Sequence, residues 1–191
     1  MSAAPRPVRG IVLAGGRSSR LGGRHKPALE VGGRPIVARV IEALRGVGAD
    51  PLVVGLPEAV PDGVPVVRED PPYAGPLAAL AAGMGALRPH AEGVIVVLGG
   101  DMPFVTAGLL RGLIDSAGRG AAFAEDESGR LQPLCAAWDE AVLRQRLARL
   151  GETADRPLRA LFADLDPVRV AAPGRELRDI DTPEDLAAAG E

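Results

Sequence analysis

Aromatic residues are scarce: one tryptophan, one tyrosine and three phenylalanines, 3% of 191 residues. A core must therefore be built from small and aliphatic side chains. At 47% hydrophobic, with much of that alanine, the chain has enough of them for thin layers of helix packed on sheet. Cysteine is all but missing, and Cys135 alone excludes both a disulfide framework and a cysteine zinc cluster. No apolar run approaches the ~18 residues of a membrane span, and Met1 to Arg9 lacks the apolar core of a secretion signal. No membrane association is expected, and the cytoplasm is the default compartment. There is no basic excess either: the net charge of −3 gives no footprint for bulk nucleic-acid binding. Internal repeats and linkers are absent, so one domain spanning residues 1–191 is expected, as a monomer or weak oligomer.

Against this mildly acidic background, one basic cluster stands out. The apolar run Val8–Ala14 breaks at Gly15-Gly16 and is followed by Arg17, Arg20, Arg24 and Lys26. Glycines let a backbone approach a ligand closely, and their N–H groups can line an anion site that nearby cations neutralise. The pattern suits a nucleoside triphosphate. It is not a Walker loop, because Arg20 and Leu21 stand where Gly and Lys are needed, and it is not the G-x-G-x-x-G dinucleotide turn. On these residues alone, a plain turn carrying surface arginines fits as well.

Strand-like runs recur at Val8–Ala14, Pro51–Val54, Val64–Val67, Val94–Leu98, Ala121–Ala124, Leu134–Trp138 and Val168–Ala171. Helical stripes lie between them: Ile36, Val37, Val40, Ile41 and Leu44, opening on Pro35; Leu77, Leu80, Ala81, Met84 and Leu87, opening on Pro76. Two more follow, at Leu109, Leu110, Leu113 and Ile114 with Thr106 as N-cap, and at Val142, Leu143, Leu147 and Leu150. Alternating strands and helices predict an α/β fold, a three-layer αβα sandwich around a mostly parallel, Rossmann-like sheet. Ligands of such sheets sit beyond the C-terminal strand ends. There the run Val94–Leu98 enters Gly99-Gly100-Asp101, which presents a carboxylate suited to Mg²⁺ on a phosphate. Gly75-Pro76, entering an alanine-rich helix, offers an exposed backbone edge to a planar base. Taken singly, Asp101 also fits a turn cap, and Gly75-Pro76 a well-capped core helix.

The stretch around the first loop resembles the signature L-A-G-G-x-S-x-R-[ML]-G-x-x-K of nucleotidyltransferases that transfer NMP from NTP. Leu13, Ala14, Gly15, Gly16, Ser18, Arg20, Leu21, Gly22 and Lys26 all stand in place. Asp101-Met102-Pro103-Phe104 is similar to the D-x-P-[FY] motif, and Gly75-Pro76-Leu77-Ala78 to the G-P-L-A-G segment, of molybdenum cofactor guanylyltransferases, the MobA-like group. The ending Asp179-Ile180-Asp181-Thr182-Pro183-Glu184-Asp185-Leu186 matches D-[IV]-[DN]-T-P-E-[DE]-L.

The resemblance implies a nucleotide-diphospho-sugar transferase-like fold and transfer of GMP from GTP to molybdenum-bound molybdopterin, with Mg²⁺ as cofactor. It implies catalytic roles for Arg20, Lys26 and Asp101, with Asp101 on the metal. Leu13, Ala14, Gly15, Gly16, Lys26, Asp70, Gly75, Pro76, Leu77 and Asp101 would bind nucleotide, and Gln132 and Asp181 the acceptor. Departures exist: Ala79 replaces the second glycine of the G-P-L-A-G segment, His25 precedes the lysine, and the strand end Val53-Val54-Gly55 lacks the asparagine often found there. A cytidylyltransferase, a sugar-1-phosphate nucleotidyltransferase and a non-catalytic nucleotide-binding module are the rival readings.

Overall fold

Successive residues of the apolar runs face opposite ways, and both ways lead into a core. In the strand Val94–Gly99, Val94, Val96 and Leu98 pack into one cluster while Ile95 and Val97 pack into another. A strand buried on both faces needs a helical layer on each side. The computed structural model describes residues 6–15, 26–180 and 182–189 and supplies both layers.

The strands in chain order are β1 (Val8–Ala14), β2 (Glu30–Val31), β3 (Arg34–Pro35), β4 (Asp50–Gly55), β5 (Val66–Val67), β6 (Val94–Gly99), β7 (Ala121–Glu125), β8 (Leu131–Asp139) and β9 (Val168–Ala171). The helices are α1 (Ile36–Arg45), α2 (Pro76–Ala86), α3 (Ala107–Ala117), α4 (Glu140–Leu150) and α5 (Pro183–Ala189). Seven strands form one sheet in the order β5-β4-β1-β6-β8-β7-β9. β1 pairs parallel with β4 and β6, β4 with β5, and β7 with β9; β8 runs antiparallel between β6 and β7. The expected mostly parallel α/β sandwich is what forms. β2 and β3 make a separate hairpin.

α1 and α3 fill one face with Ile36, Val40, Leu44, Leu110 and Leu113. α2 and α4 cover the other with Leu77, Leu80, Met84 and Leu143. Three of the five aromatics gather on this second face: Phe123 lies 5.2 Å from Trp138 and 4.9 Å, edge-on, from Phe162. α2 can lie close to the sheet because it is nearly all small; a Cβ on Gly83 would stand 3.0 Å from both Ile11 and Val54.

Capping follows the sequence. Thr106 accepts from the Leu109 N–H and Asp139 from the Val142 N–H. Pro76 opens α2, but Pro35 is the residue before α1 rather than its first, with φ −54° and ψ 139°. Among the described residues no helix is long and apolar enough to cross a membrane. At the N-terminal ends of β1 and β6, the fully buried Glu140 carboxylate pairs with Arg9 and, at 2.9 Å, with Arg144. Burial lowers both arginine pKa values from their ordinary range. That ionic knot lies at the opposite end of the sheet from the strand ends considered next.

Candidate active site

The chain places β4 on one side of β1 and β6 on the other, so the strand order reverses at β1 and a crevice opens beyond its C-terminal end. The glycines there have a steric reason. The Gly100 N–H donates to the Leu13 carbonyl at 2.9 Å, and a Cβ at Gly100 would stand 3.0 Å from that of Ala14. A Cβ at Gly99 would meet the Asp101 Oδ1 at 2.8 Å. The small size of Gly100 lets the turn into Asp101 pack against the end of β1. The Asp101 carbonyl also accepts from the Ile180 N–H at 3.1 Å, so the chain before α5 is stitched to the same corner.

On the other side of β1, Gly55 has φ 152°, and a Cβ there would sit 2.7–2.9 Å from the Ala14–Gly15 peptide. The ends of β1 and β4 touch backbone to backbone. Gly75 precedes α2 with φ 95°, a conformation that favours glycine, and its carbonyl accepts from Ala79. The Ala74 carbonyl accepts from Asp155 at 2.8 Å and ties this turn to the chain beyond α4.

These elements enclose a cavity of about 330 Å³ whose walls include Gly15, Lys26, Tyr73, Gly75, Pro76 and Asp101. Lys26 opens a short 3-10 turn, Lys26–Ala28, and its carbonyl accepts from Leu29. A second cavity of about 260 Å³, lined by Gln132, Asp179 and Leu177 among others, shares Pro76, Asp101 and Leu134 with the first. The two form one crevice with Asp101 at the waist.

The second lobe owes its wall to β8. Pro133 has no N–H for the ladder, and the β7–β8 register slips beside it: Phe123 faces Ala136 while Ala124 faces Gln132. The slip frees Gln132, Pro133 and Leu134 to line the lobe. The Gln132 amide donates to Asp126 Oδ2 at 2.9 Å, which orients its carbonyl the other way. Asp126 is held at a pKa of about 2, chiefly by the Ser128 hydroxyl and then by the Arg130 main-chain N–H. It stays a carboxylate at any ordinary pH.

Of the residues expected from sequence, Leu13, Ala14, Gly15, Lys26, Gly75, Pro76 and Asp101 line the first lobe, and Gln132 lines the second. Asp70 is solvent-exposed before a cis bond to Pro71 and is not on either wall. Leu77 is fully buried in the core, so its side chain faces α2's sheet contact rather than the crevice. Gly16, Arg20 and Asp181 lie outside the described residues. Several wall residues were not singled out as ligand-facing, among them Tyr73, Ala79 and Asp179. Tyr73 is 41% exposed with φ 65°, under an Arg68 guanidinium 4.8 Å from its ring. Ala79, where a glycine was expected, puts its methyl on the first lobe. Asp179 is two residues before the aspartate chosen from the same motif.

A profile described as MobA-like NTP transferase domain matches residues 10–169. The chain belongs to that family. A molybdenum cofactor guanylyltransferase of Cereibacter sphaeroides is 34% identical over 185 residues, covering 94% of each chain. Another, from Ectopseudomonas mendocina, is 34% identical over 190 residues, covering 96% of this chain and 92% of the relative. A solved nucleotidyl transferase from Methanothermobacter thermautotroptrophicus superimposes with a TM-score of 0.77 at 25% identity, covering 96% of each chain. The crevice of this MobA-like NTP transferase has glycine backbone and lysine on one wall, a carboxylate at the waist, and a second lobe beyond it.

Proposed function

We propose that this chain transfers GMP from GTP to molybdenum-bound molybdopterin, releasing pyrophosphate, as a monomer or weak oligomer in the cytoplasm. One observation carries the reading: Asp101, distant in sequence from Gly15 and Lys26, lines one cavity with them, and that cavity continues into a second lobe large enough to begin an acceptor site. The relatives bearing the guanylyltransferase name match along nearly their whole length, which favours this acceptor over a sugar phosphate.

No side-chain nucleophile is required. A terminal phosphate oxygen of the acceptor, in the second lobe, attacks the α-phosphorus of the nucleotide in the first. The new P–O bond forms in line as the bond to the β-phosphate oxygen breaks, and that oxygen leaves with the electron pair as pyrophosphate. The Gly15 end of β1 positions the triphosphate, and the Lys26 ammonium neutralises charge gathering on the leaving group. Gly16 and Arg20, by their places in the motif, would share in binding the triphosphate. Gly75 and Pro76, with Tyr73 and Ala79, frame the base. Gln132, held by Asp126, offers its carbonyl to the acceptor.

Mg²⁺ fits the donor set. Asp101 and Asp179, whose carboxylates are hard oxygen donors, both line the crevice. That suits an ion held by one or two carboxylates and substrate phosphates. Bound there, Mg²⁺ would supply charge neutralisation at the α-phosphate.

The test supplies GTP, CTP or UTP with Mg²⁺ and a molybdopterin source, reads pyrophosphate release, and identifies the product by mass. Acceptor-dependent release with GTP and a GMP-bearing product is expected. Release with CTP alone would make the chain a cytidylyltransferase. Nucleotide binding without any acceptor-dependent release would leave only a binding module.

A further inference from the structure

Tyr73 breaks two rules of chain construction at once. Its φ of 65° is a conformation that glycine takes freely and a bulky residue does not, because the Cβ crowds the backbone. Its side chain is also left open to solvent, and among the described residues Val168 is the one other large hydrophobic so exposed. A glycine would remove both costs and still make the turn into α2. Core packing does not account for the ring, which belongs to neither of the two buried clusters.

The chain nevertheless holds this residue at two points. The Tyr73 N–H donates to the Glu69 Oε1 at 2.9 Å, and Glu69 is itself buried, so the strained backbone is tied to a side chain that is packed in place. The Arg68 guanidinium lies 4.8 Å from the ring centroid, a cation–π contact that steadies the ring as the hydrogen bond steadies the backbone. The ring so held is part of the wall of the first lobe, beside Gly75, Pro76 and Ala79, and is the one aromatic among the described residues lining it. Backbone strain kept at a cavity wall points to a ligand met there.

We infer that the Tyr73 ring is the platform on which the nucleobase of the bound triphosphate stacks. Every base has a π-face, so stacking on an aromatic side chain adds affinity without reading the hydrogen-bonding groups at the base edge. Selection among bases then falls to the main chain at Gly75, and Glu69 and Arg68 act on the nucleotide only through the residue they hold. This rests on the nucleotide-transfer reading and divides the base-side wall into a face that binds and an edge that chooses.

Tyr73 is the only tyrosine in the sequence, so 3-fluorotyrosine labels it alone. The fluorine resonance of the labelled 191-residue protein is recorded with Mg²⁺ and either GTP or inorganic tripolyphosphate. GTP is expected to move it, and tripolyphosphate, which has no base, to move it far less. Calorimetric titration of Tyr73→Gly, which removes the ring at a φ that glycine accepts, should then show Kd raised about tenfold for GTP and for ITP alike, since the two share a purine face and differ at one edge. Tyr73→Phe, which keeps the ring, should restore most of that loss. A fluorine shift as large with tripolyphosphate as with GTP would overturn the inference, as would a folded Y73G protein with unchanged Kd, a loss confined to GTP, or a Y73F protein as weak as Y73G. The fluorine spectra are read on the unsubstituted chain and decide the matter even if Y73G does not fold. Wild type that binds GTP with its resonance unmoved sinks the inference alone; wild type that binds neither GTP nor ITP takes the transfer reading down with it.

Discussion

Gly55→Ala tests how far the site depends on two strand ends touching. A Cβ at residue 55 would lie 2.7 Å from the Ala14 carbonyl carbon, 2.8 Å from its oxygen and 2.9 Å from the Gly15 nitrogen. All three are main-chain atoms of the strand that carries the site, so no side chain can swing aside. Reaching an ordinary 3.4 Å contact needs roughly 0.5–0.7 Å of movement in an interior packed without slack. Overpacking of this kind costs about 1–3 kcal/mol, and an alanine at φ 152° adds about 1–3 kcal/mol of backbone strain. Since a 1 Å misplacement near reacting groups can cost ~10²-fold, kcat/KM should fall about tenfold or more in the protein that remains folded.

Gly63→Ala is the control. It has φ 78° but open space around the added methyl, so it carries the backbone strain without the clash. Urea denaturation with pyrophosphate-release kinetics on both variants separates the two contributions. If G55A matches G63A in stability and keeps wild-type kcat/KM, the backbone contact does not position the site.

Other perturbations read different parts of the structure. Asp101→Asn keeps its size and its main-chain bond to Ile180, so it should fold normally and lose ~10²–10³ in kcat, the usual cost of removing one group that stabilises transition-state charge. Near-normal turnover in a folded D101N protein would refute the metal assignment. Glu140→Ala leaves Arg9 and Arg144 without their shared carboxylate at the far end of the sheet. It should cost about 3–5 kcal/mol in denaturant titration while leaving kcat per folded molecule unchanged. Burial pushes the Cys135 thiol up to about 12, so between pH 8 and 9 it should react with a thiol reagent only after unfolding. An unfolded thiol ionises near ~8.5, so the unfolded state sheds this proton first and stability contributed by Cys135 falls as pH rises through that value. Rapid labelling of native protein would contradict its burial.

Much of the sheet was legible because its strands are apolar on both faces. β1 and β9 run over the residues expected, and β6 extends the expected run by one. β8 was read only from Leu134, since its first residues are partly exposed and contain a proline; that irregular start is what lines the second lobe. The β2–β3 hairpin went unread because its strands are two residues each. Its Gly32-Gly33 turn, with φ 59° and 73°, was the available signal. Val64–Val67 shortened to Val66–Val67.

At the site, motif residues on glycine turns were legible because the turn chemistry is local. Glu69 and Tyr73 were not. Whether an acid in Arg68-Glu69-Asp70 points inward depends on the partner strand end at Gly15, which no spacing encodes. The same limit left Asp179 unread, although it lies in the same motif as Asp181 and reaches the crevice.

In the proposed reaction one crevice gathers the end of β1, Lys26 and Asp101 around a metal-bound triphosphate. A crystal structure with a non-hydrolysable GTP analogue and Mn²⁺ in place of Mg²⁺, with the metal located by its anomalous signal, tests it most directly. Mn²⁺ is expected at an Asp101 carboxylate oxygen and an α-phosphate oxygen, with the β- and γ-phosphates against Gly15 and Lys26. A metal or nucleotide bound away from Asp101 would contradict it.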